Sequence, residues 1–496
     1  MRSGGVATAR QAGAAIGLLA LVLALSVGFI LGAGGFVPFL PNAIANRVME
    51  ATPLALATLL LSVLGPVAKP FALAGGLALL AGLAGIAGAL VGGAFSASAG
   101  PRAALPIEAG AALLQGVLAY LLSEPRSIES AALVYGLWLV GLWLLTARPA
   151  RVENRRWFLR RSFQATAGLL ALSSVATWRL LLKTLSGAGA GRPLFDFRPP
   201  AARDPAFAGV SGLTPEVSPI ENFYLMSKTV EDPAVDEDTW ELRIDGLVQT
   251  PLRLTYEDLL SLPRVDQWMT LRCVSNPVGG PLINNALWSG VPIPELLRRT
   301  TPRANATTFV MEARDTFSDG VPLSAAMLDT ALLAYAVNGN LLNRDHGFPA
   351  RVLIPGLYGF KNVKWVQRLR LIAGEFDGPW QRLGWTKTAV QTTFSRIDFV
   401  RPTPIGAIAG GLAFAGDRGI SAVEVSVNGG VFSPAKLHVP PLGPLAWTQW
   451  IAEFPATGTA TVTVRATDGR GALQEETRRD IYPDGATGWH SITVEL

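Results

Sequence analysis

Two hydrophobic patterns divide this chain. Up to residue 150, apolar residues run on with few charges; from Arg151 they fall into short periodic stretches broken by polar turns. A helix crossing a membrane needs about 20 predominantly apolar residues. Segments 11–36 and 70–95 are charge-free and long enough. Segments 106–122 and 130–147 are shorter but bounded by charges and turn residues, and 158–182 begins inside a basic cluster. These five predicted spans make 1–185 an α-helical transmembrane bundle. Its many glycines (Gly75, Gly76, Gly82, Gly85) suit close helix contact in lipid. Segment 54–64, closely framed by Pro53 and Pro66, is expected to be re-entrant or interfacial.

Later patterns are those of folded domains. Trp240, Leu242 and Ile244 alternate with polar residues and predict a strand over 240–247. Segment 254–258 predicts a strand running into a helix start, 296–299 and 325–336 predict short helices, and 351–354 a buried strand. This mixture predicts an α+β domain over 203–397. Beyond it, Val423, Val425 and Val427 alternate with polar residues before the turn Asn428-Gly429, and Val462, Val464 and Ala466 alternate before Asp468-Gly469. An immunoglobulin-like β-sandwich is expected over 398–496. The Gly-, Pro- and Arg-rich segment 186–202 reads as a linker. The expected architecture is therefore multi-domain.

Charge sets the orientation. The loop holding Arg148, Arg151, Arg155, Arg156, Arg160 and Arg161 belongs in the cytoplasm. Four spans counted back from it leave Arg2 and Arg10 cytoplasmic too, whereas a sixth span would put them outside. The last span then carries everything after Leu182 across the plasma membrane, giving a multi-pass protein with its folded domains extracytoplasmic. Within the basic loop, Asn154-Arg155-Arg156-Trp157-Phe158-Leu159-Arg160 resembles a twin-arginine export signal; a plain positive-inside anchor is the alternative. The net charge of +5 is modest, and no basic cluster with interleaved aromatics appears in the later domains, so nucleic acid is not an expected partner. All three histidines, His346, His438 and His490, lie in the later part, which excludes a membrane haem held by two histidines of this chain.

One thiol stands alone. Cys273 is the only cysteine, at the edge of a Gly/Pro-rich loop, TLRCVSNPVGG, 270–280. By itself it reads as a small buried hydrophobe, a nucleophile paired with His346, or a ligand to a metal whose other ligands come from a cofactor. Arg351 abuts an apolar strand and offers a planar fork suited to phosphate, with Lys361 and Lys364 as point charges nearby.

The motifs around these residues resemble the sulfite oxidase superfamily of molybdopterin enzymes. Thr270-Leu271-Arg272-Cys273-Val274-Ser275-Asn276 is similar to the loop that gives that family its one protein thiolate to molybdenum. His346-Gly347-Phe348-Pro349-Ala350-Arg351, followed by Asn362-Val363-Lys364-Trp365, is similar to its His-Gly-Phe-Pro-x-Arg signature. Asn222-Phe223-Tyr224 matches its early aromatic segment, and the sandwich comes last, as in that family. The resemblance implies a molybdenum-dependent oxidoreductase transferring an oxygen atom, with Mo-molybdopterin as cofactor. It implies Cys273 as metal ligand and, with Trp385, as catalytic residue. Tyr224, Leu225, Met226, Asp315, His346, Arg351, Asn362, Val363 and Lys364 would hold the cofactor, with 203–397 the catalytic domain. Pro277, Val278 and Met226 stand where sulfite-oxidising members keep arginines, and Trp385 where they keep a tyrosine. The implied pocket is thus less cationic, and a neutral sulfoxide or N-oxide is as plausible a substrate as sulfite. Membrane lipid is one expected partner, and a cytochrome or quinone-linked subunit is needed for electrons. Two other readings remain open at this stage: a non-catalytic membrane receptor with a degenerate molybdenum domain, and a transporter with a sensing domain.

The export motif gives a direct test. A reporter fused after Ser186 should reach the extracytoplasmic side through the twin-arginine pathway and be retained when Arg155 and Arg156 become lysine. Normal export of that double variant would contradict the assignment.

Overall fold

The computed structural model describes residues 191–229 and 232–496. The five predicted spans, segment 54–64 and the paired arginines lie outside the described residues. Among the described residues no helix is long and apolar enough to cross a membrane. The elements below belong to one unit, Gly187–Met226 with Asp232–Leu496.

Ten strands build the first part: β1 (Glu241–Gly246), β2 (Leu252–Thr255), β3 (Val265–Arg272), β4 (Ile283–Pro292), β5 (Thr308–Ala313), β6 (Ser318–Pro322), β7 (Leu332–Val337), β8 (Asn340–Leu341), β9 (Arg351–Leu353) and β10 (Val366–Ile372). One five-stranded sheet has the order β2-β1-β10-β5-β6; the other runs β3-β4-β7-β8, with β9 also on β7. Only β1 and β10 pair parallel; the other pairings are antiparallel. The apolar faces of both sheets meet in one core. Leu242 and Ile244 of β1, Phe309 and Met311 of β5, and Met269 and Leu271 of β3 all bury there. The alternation at Trp240, Leu242 and Ile244 therefore marks the inward face of β1, as its pattern predicts.

Four short helices connect the strands: α1 (Tyr256–Ser261), α2 (Ile293–Thr300), α3 (Leu323–Ala326) and α4 (Pro379–Arg382). α1 begins where Thr255 ends β2. The Thr255 hydroxyl accepts from Asp258 N at 3.1 Å, and the Asp258 carboxylate accepts from Thr255 N at 2.9 Å. This capping box is worth about 1 kcal/mol. This is a β-rich form of the expected mixture of short strands and helices, in which the helices serve as connections between strands.

The helix expected over 325–336 is not there. α3 stops at Ala326, and 332–337 is β7, buried at every position. An apolar run buried on both faces has no polar side to reveal its period, so Ala-rich sequence passes for helix. The 186–202 segment, in its described part, is not a free linker. Leu194 N and Phe195 N donate to Gly339 O, and Leu341 N donates to Arg192 O.

The second part holds β11 (Phe394–Thr403), β12 (Gly406–Phe414), β13 (Ile420–Val427), β14 (Ser433–Pro434), β15 (Lys436–Leu437), β16 (Thr448–Phe454), β17 (Thr459–Asp468) and β18 (His490–Glu495). They form two four-stranded antiparallel sheets, β11-β12-β16-β15 and β14-β13-β17-β18. Val423, Val425, Val462 and Val464 from one sheet pack on Trp450, Ala409 and Ala413 from the other. The expected boundary at 397/398 falls inside β11, since pairing with β12 already starts at Phe394.

A buried ion pair ties β6 to the 3-10 turn Gly359–Lys361. Lys361 Nζ lies 2.6 Å from Asp319 Oδ1 and 2.8 Å from Gly320 O, with both side chains out of solvent. Burial pushes the Asp319 carboxyl up, and Lys361 opposes the shift. Removing one partner leaves the other charge buried without compensation. Asp319→Ala should therefore cost about 3–5 kcal/mol in urea unfolding, and Asp319→Ala/Lys361→Met much less. A single variant as stable as the parent would contradict this.

Candidate functional site

Strand alternation first decides where the lone thiol points. Thr270 and Arg272 share one face of β3, and Met269 and Leu271 the other. Thr270 Oγ1 accepts from Trp447 N at 2.9 Å, so its face looks toward the sandwich. Arg272 follows it. Its Nη2 donates to Tyr358 Oη (2.8 Å) and Thr392 Oγ1 (2.7 Å), its Nη1 to Thr392 O (2.9 Å), and its guanidinium lies over the Tyr358 and Phe394 rings. Cys273 comes next, at the strand end, and is buried. Its N donates to Leu282 O at 3.0 Å, closing the 273–282 loop at its base. Burial pushes the thiol pKa up; the Ser275 backbone and hydroxyl donors, then the charge of Arg272 and the Val274 N–H, pull it back. These donors would stabilise a sulfur anion as soon as a cation draws one out.

The second component is the run from Asn343 to Trp365. Asn343 caps a 3-10 turn by accepting from His346 N at 3.0 Å. β9 then delivers Arg351 into the core, 6% exposed. Its Nη1 donates to His346 O (3.2 Å), its Nη2 to Asn362 O (3.0 Å), and the guanidinium stacks over Trp288 at 5.2 Å. Its Nε finds no acceptor among the described residues. Burial pulls the Arg351 pKa down to about 10, opposed by Tyr224. A core cation bonded only to backbone carbonyls, with a donor to spare, is a place for an anion.

Tyr224 joins the two components. Its N donates to Asn284 Oδ1 at 2.8 Å, and its hydroxyl lies against Gly359, where a side chain would displace it. Burial and then the nearby Cys273 push its pKa up, while Arg351 and Arg272 pull it down. His346 is buried with its ring 5.2 Å from Phe223 and bonded to the Ile220 backbone; burial, then Arg351 and Lys364, pull its pKa down to about 4. It is therefore a neutral imidazole at ordinary pH.

The other expected residues divide. Lys364 Nζ donates to Asp345 O at 2.9 Å and lies 4.1 Å above the Trp365 ring, beside this cluster. Asn362 spends its side chain on Ile354 N (2.7 Å) and Tyr358 O (3.0 Å), leaving its backbone to face Arg351. Val363 is buried and its carbonyl accepts from Val352 N. Asp315 sits in the β5–β6 turn, where its carboxylate accepts from Phe317 N at 3.0 Å; that turn meets Trp365 through Arg314 N. Leu225 and Met226 are exposed. Trp385 is buried, packed edge-on against Tyr482 at 5.4 Å, and its indole Nε1 has no acceptor among the described residues. Lys361, expected as a free point charge, is bound to Asp319 instead. Sequence reasoning left the direction of Arg272 open and missed Tyr358 and Thr392, which receive it. An arginine inside an otherwise buried strand end was the available signal.

Among the described residues no three His, Cys, Asp or Glu side chains gather as a metal cage. Residues 229–380 match the model of the oxidoreductase molybdopterin-binding domain, a span that includes Cys273, His346, Arg351 and Lys364 but not Tyr224 or Trp385. The chain is similar to the sulfite oxidase of Arabidopsis thaliana, 28% identical over 349 residues, covering 56% of this chain and 88% of that protein. It is similar to the uncharacterized oxidoreductase YuiH of Bacillus subtilis (strain 168), 30% identical over 176 residues, covering 35% of this chain and 87% of the relative. It is also similar to the catalytic subunit MsrP of protein-methionine-sulfoxide reductase from Gluconobacter oxydans (strain 621H), 32% identical over 191 residues, covering 34% of this chain and 60% of that one.

The depressed His346 pKa has a stability consequence. The unfolded chain takes up its proton near 6.5, the folded one only near 4. Its contribution is whole above the unfolded value and lost as pH falls toward the folded one. Cofactor-free protein should lose about 2 kcal/mol to this group between pH 7 and pH 5, and His346→Gln should lack that part. Urea unfolding at both pH values checks it; equal losses in parent and variant would refute it.

Proposed function

The chain belongs to the family of oxidoreductases with a molybdopterin-binding domain, and on that premise we propose that it transfers an oxygen atom at a molybdenum bound by Cys273, on the extracytoplasmic side of a membrane. It is a molybdenum-dependent oxidoreductase with molybdopterin as its cofactor. The observation that supports the proposal is a lone buried thiol at the end of β3 together with a buried guanidinium, Arg351, bonded only to backbone carbonyls among the described residues.

The residues present fit the cofactor. Arg351 holds a buried cation with an unused Nε, which suits the phosphate that ends the pterin. Cys273 offers a soft ligand inside a loop whose N–H groups and hydroxyl favour the thiolate. In this reading His346, neutral and fixed by Ile220, presents a hydrogen-bonding edge rather than a charge. Lys364 adds positive charge at the rim, and the backbone of Asn362 and Val363 lines the same side. Tyr224 keeps its proton and acts as a donor. When bound, the group supplies a two-electron molybdenum centre able to pass an oxygen atom to or from substrate.

The substrate reading follows from charge. Arg272 turns toward the sandwich, where its two Nη groups bond Tyr358 and Thr392, although its Nε, like that of Arg351, has no acceptor among the described residues. Pro277 and Val278 add no cation on the loop itself. A small dianion such as sulfite would be poorly compensated, whereas a neutral sulfoxide or N-oxide needs no counter-charge. Among relatives, one is named a sulfite oxidase and another a protein-methionine-sulfoxide reductase; the pocket chemistry favours the second kind. The apolar segments before residue 185 would anchor the enzyme in lipid, and electrons would pass through a separate cytochrome or quinone-linked subunit. That relative's name marks it as a catalytic subunit, in keeping with such a partner.

Purified protein should carry a molybdenum atom per chain, and Cys273→Ala should lower dye-linked turnover by at least about a thousandfold. Sulfoxides and N-oxides should turn over faster than sulfite in the same assay. Metal-free protein from a molybdate-fed host, or full activity in Cys273→Ala, would overturn the reading.

A further inference from the structure

The loop that carries Cys273 is not held by its own domain alone. Within it, Asn276 N donates to Cys273 O (3.1 Å), Gly280 N to Pro277 O (2.9 Å), and Leu282 N to Asn276 Oδ1 (2.9 Å). These bonds make 273–282 a closed frame, so a shift at its tip is passed through Asn276 and Leu282 to Cys273. The tip rests on the sandwich. Arg396 of β11 donates from Nη1 to Gly280 O at 3.0 Å. It is fixed for that task by Asp398 Oδ1 on Nε (2.7 Å) and Thr214 Oγ1 on Nη2 (2.8 Å), while Asp398 Oδ2 accepts from Thr214 N (3.0 Å). The Arg396 and Asp398 side chains are 12% and 6% exposed, so solvent competes little for these bonds. His490, the first residue of β18, accepts at Nδ1 from Ile397 N at 3.0 Å. Its Nε2–Cδ2 edge lies on Gly279, which has φ +74°, and any Cβ there would overlap the ring.

We propose that Arg396 and His490, both from the sandwich, are positioning residues that set the place of the Cys273 sulfur. The sandwich is thereby a working part of the site. One bonds the loop tip by its carbonyl and the other blocks its backbone from moving outward. Neither reaches the reacting atoms. The functional meaning rests on Cys273 being the metal ligand; the positioning itself does not.

Because Cys273 is the only thiol in the chain, loop opening can be read directly. The rate at which cofactor-free protein reacts with a thiol-specific disulfide reagent reports it. Arg396→Ala and His490→Ala should each speed labelling about tenfold over the parent, as local opening becomes easier. Arg396→Lys, which keeps one donor, should recover part of the protection. Lys436→Ala, which removes an exposed ion pair between β15 and Asp204, should leave the rate unchanged. In the molybdenum-loaded enzyme, Arg396→Ala should retain its metal yet shift the sulfur-to-molybdenum absorption band. Parent-like labelling in both alanine variants, or equal acceleration by Lys436→Ala, would overturn the proposal. If Arg396→Ala does not fold, His490→Ala decides by the same criterion. Failure of the ligand reading shows differently: Cys273→Ala would keep its molybdenum and the absorption band would be absent from the parent.

Discussion

Three cations are buried in the unit built from the two five-stranded sheets, and among the described residues only one of them is matched by an acid. Lys361 has Asp319. Arg272 has carbonyl and hydroxyl oxygens and two aromatic faces, and Arg351 has two carbonyls and the Trp288 ring. Desolvating a guanidinium without a counter-charge is costly, and protein folds rarely leave it so unless an anion arrives from outside. Arg351 thus makes the shape of the site a consequence of what the chain lacks. β9, the His346 turn and the Asn362 backbone are arranged around a charge that no acid among the described residues completes.

The chemistry was more legible than the fold that presents it. The family was legible in local runs, since the matched span 229–380 includes the Cys273, His346 and Arg351 motifs that carried the resemblance, while residue type alone left the thiol open among three readings. The alternation at β1, β13 and β17 was equally plain, since each strand has one wet and one dry face. β7 failed for the opposite reason: buried on all sides, it has no polar face, and its alanines carry no period. Lys361 was misplaced because its partner Asp319 lies on another strand, and pairing across a sheet leaves no local trace. The direction of Arg272 was undecidable until the face of β3 met by Trp447 was known.

β3 also shows how one strand serves two purposes. Its last residue, Arg272, turns to the domain junction, and Cys273, the next residue, opens the 273–282 loop, so the two neighbours differ in role while linked through one peptide. The junction is dense with such links: Thr270 to Trp447, Arg272 to Thr392, Arg396 to Gly280. A sandwich attached this way cannot be exchanged as an independent module, because its first strand supplies bonds that end within the loop it faces.

The strip from Gly191 to Phe195 lies along β8 through several backbone hydrogen bonds, just before the Asn343 cap and the His346 turn. The bonds run across the chain direction, so a pull along the strip loads them together in shear instead of peeling them one at a time. Tension arriving from upstream is borne by β8 and its neighbour β7, the best-buried strand of the unit. The strip that receives the preceding segment and the turn that carries His346 are thus mechanically the same piece of backbone.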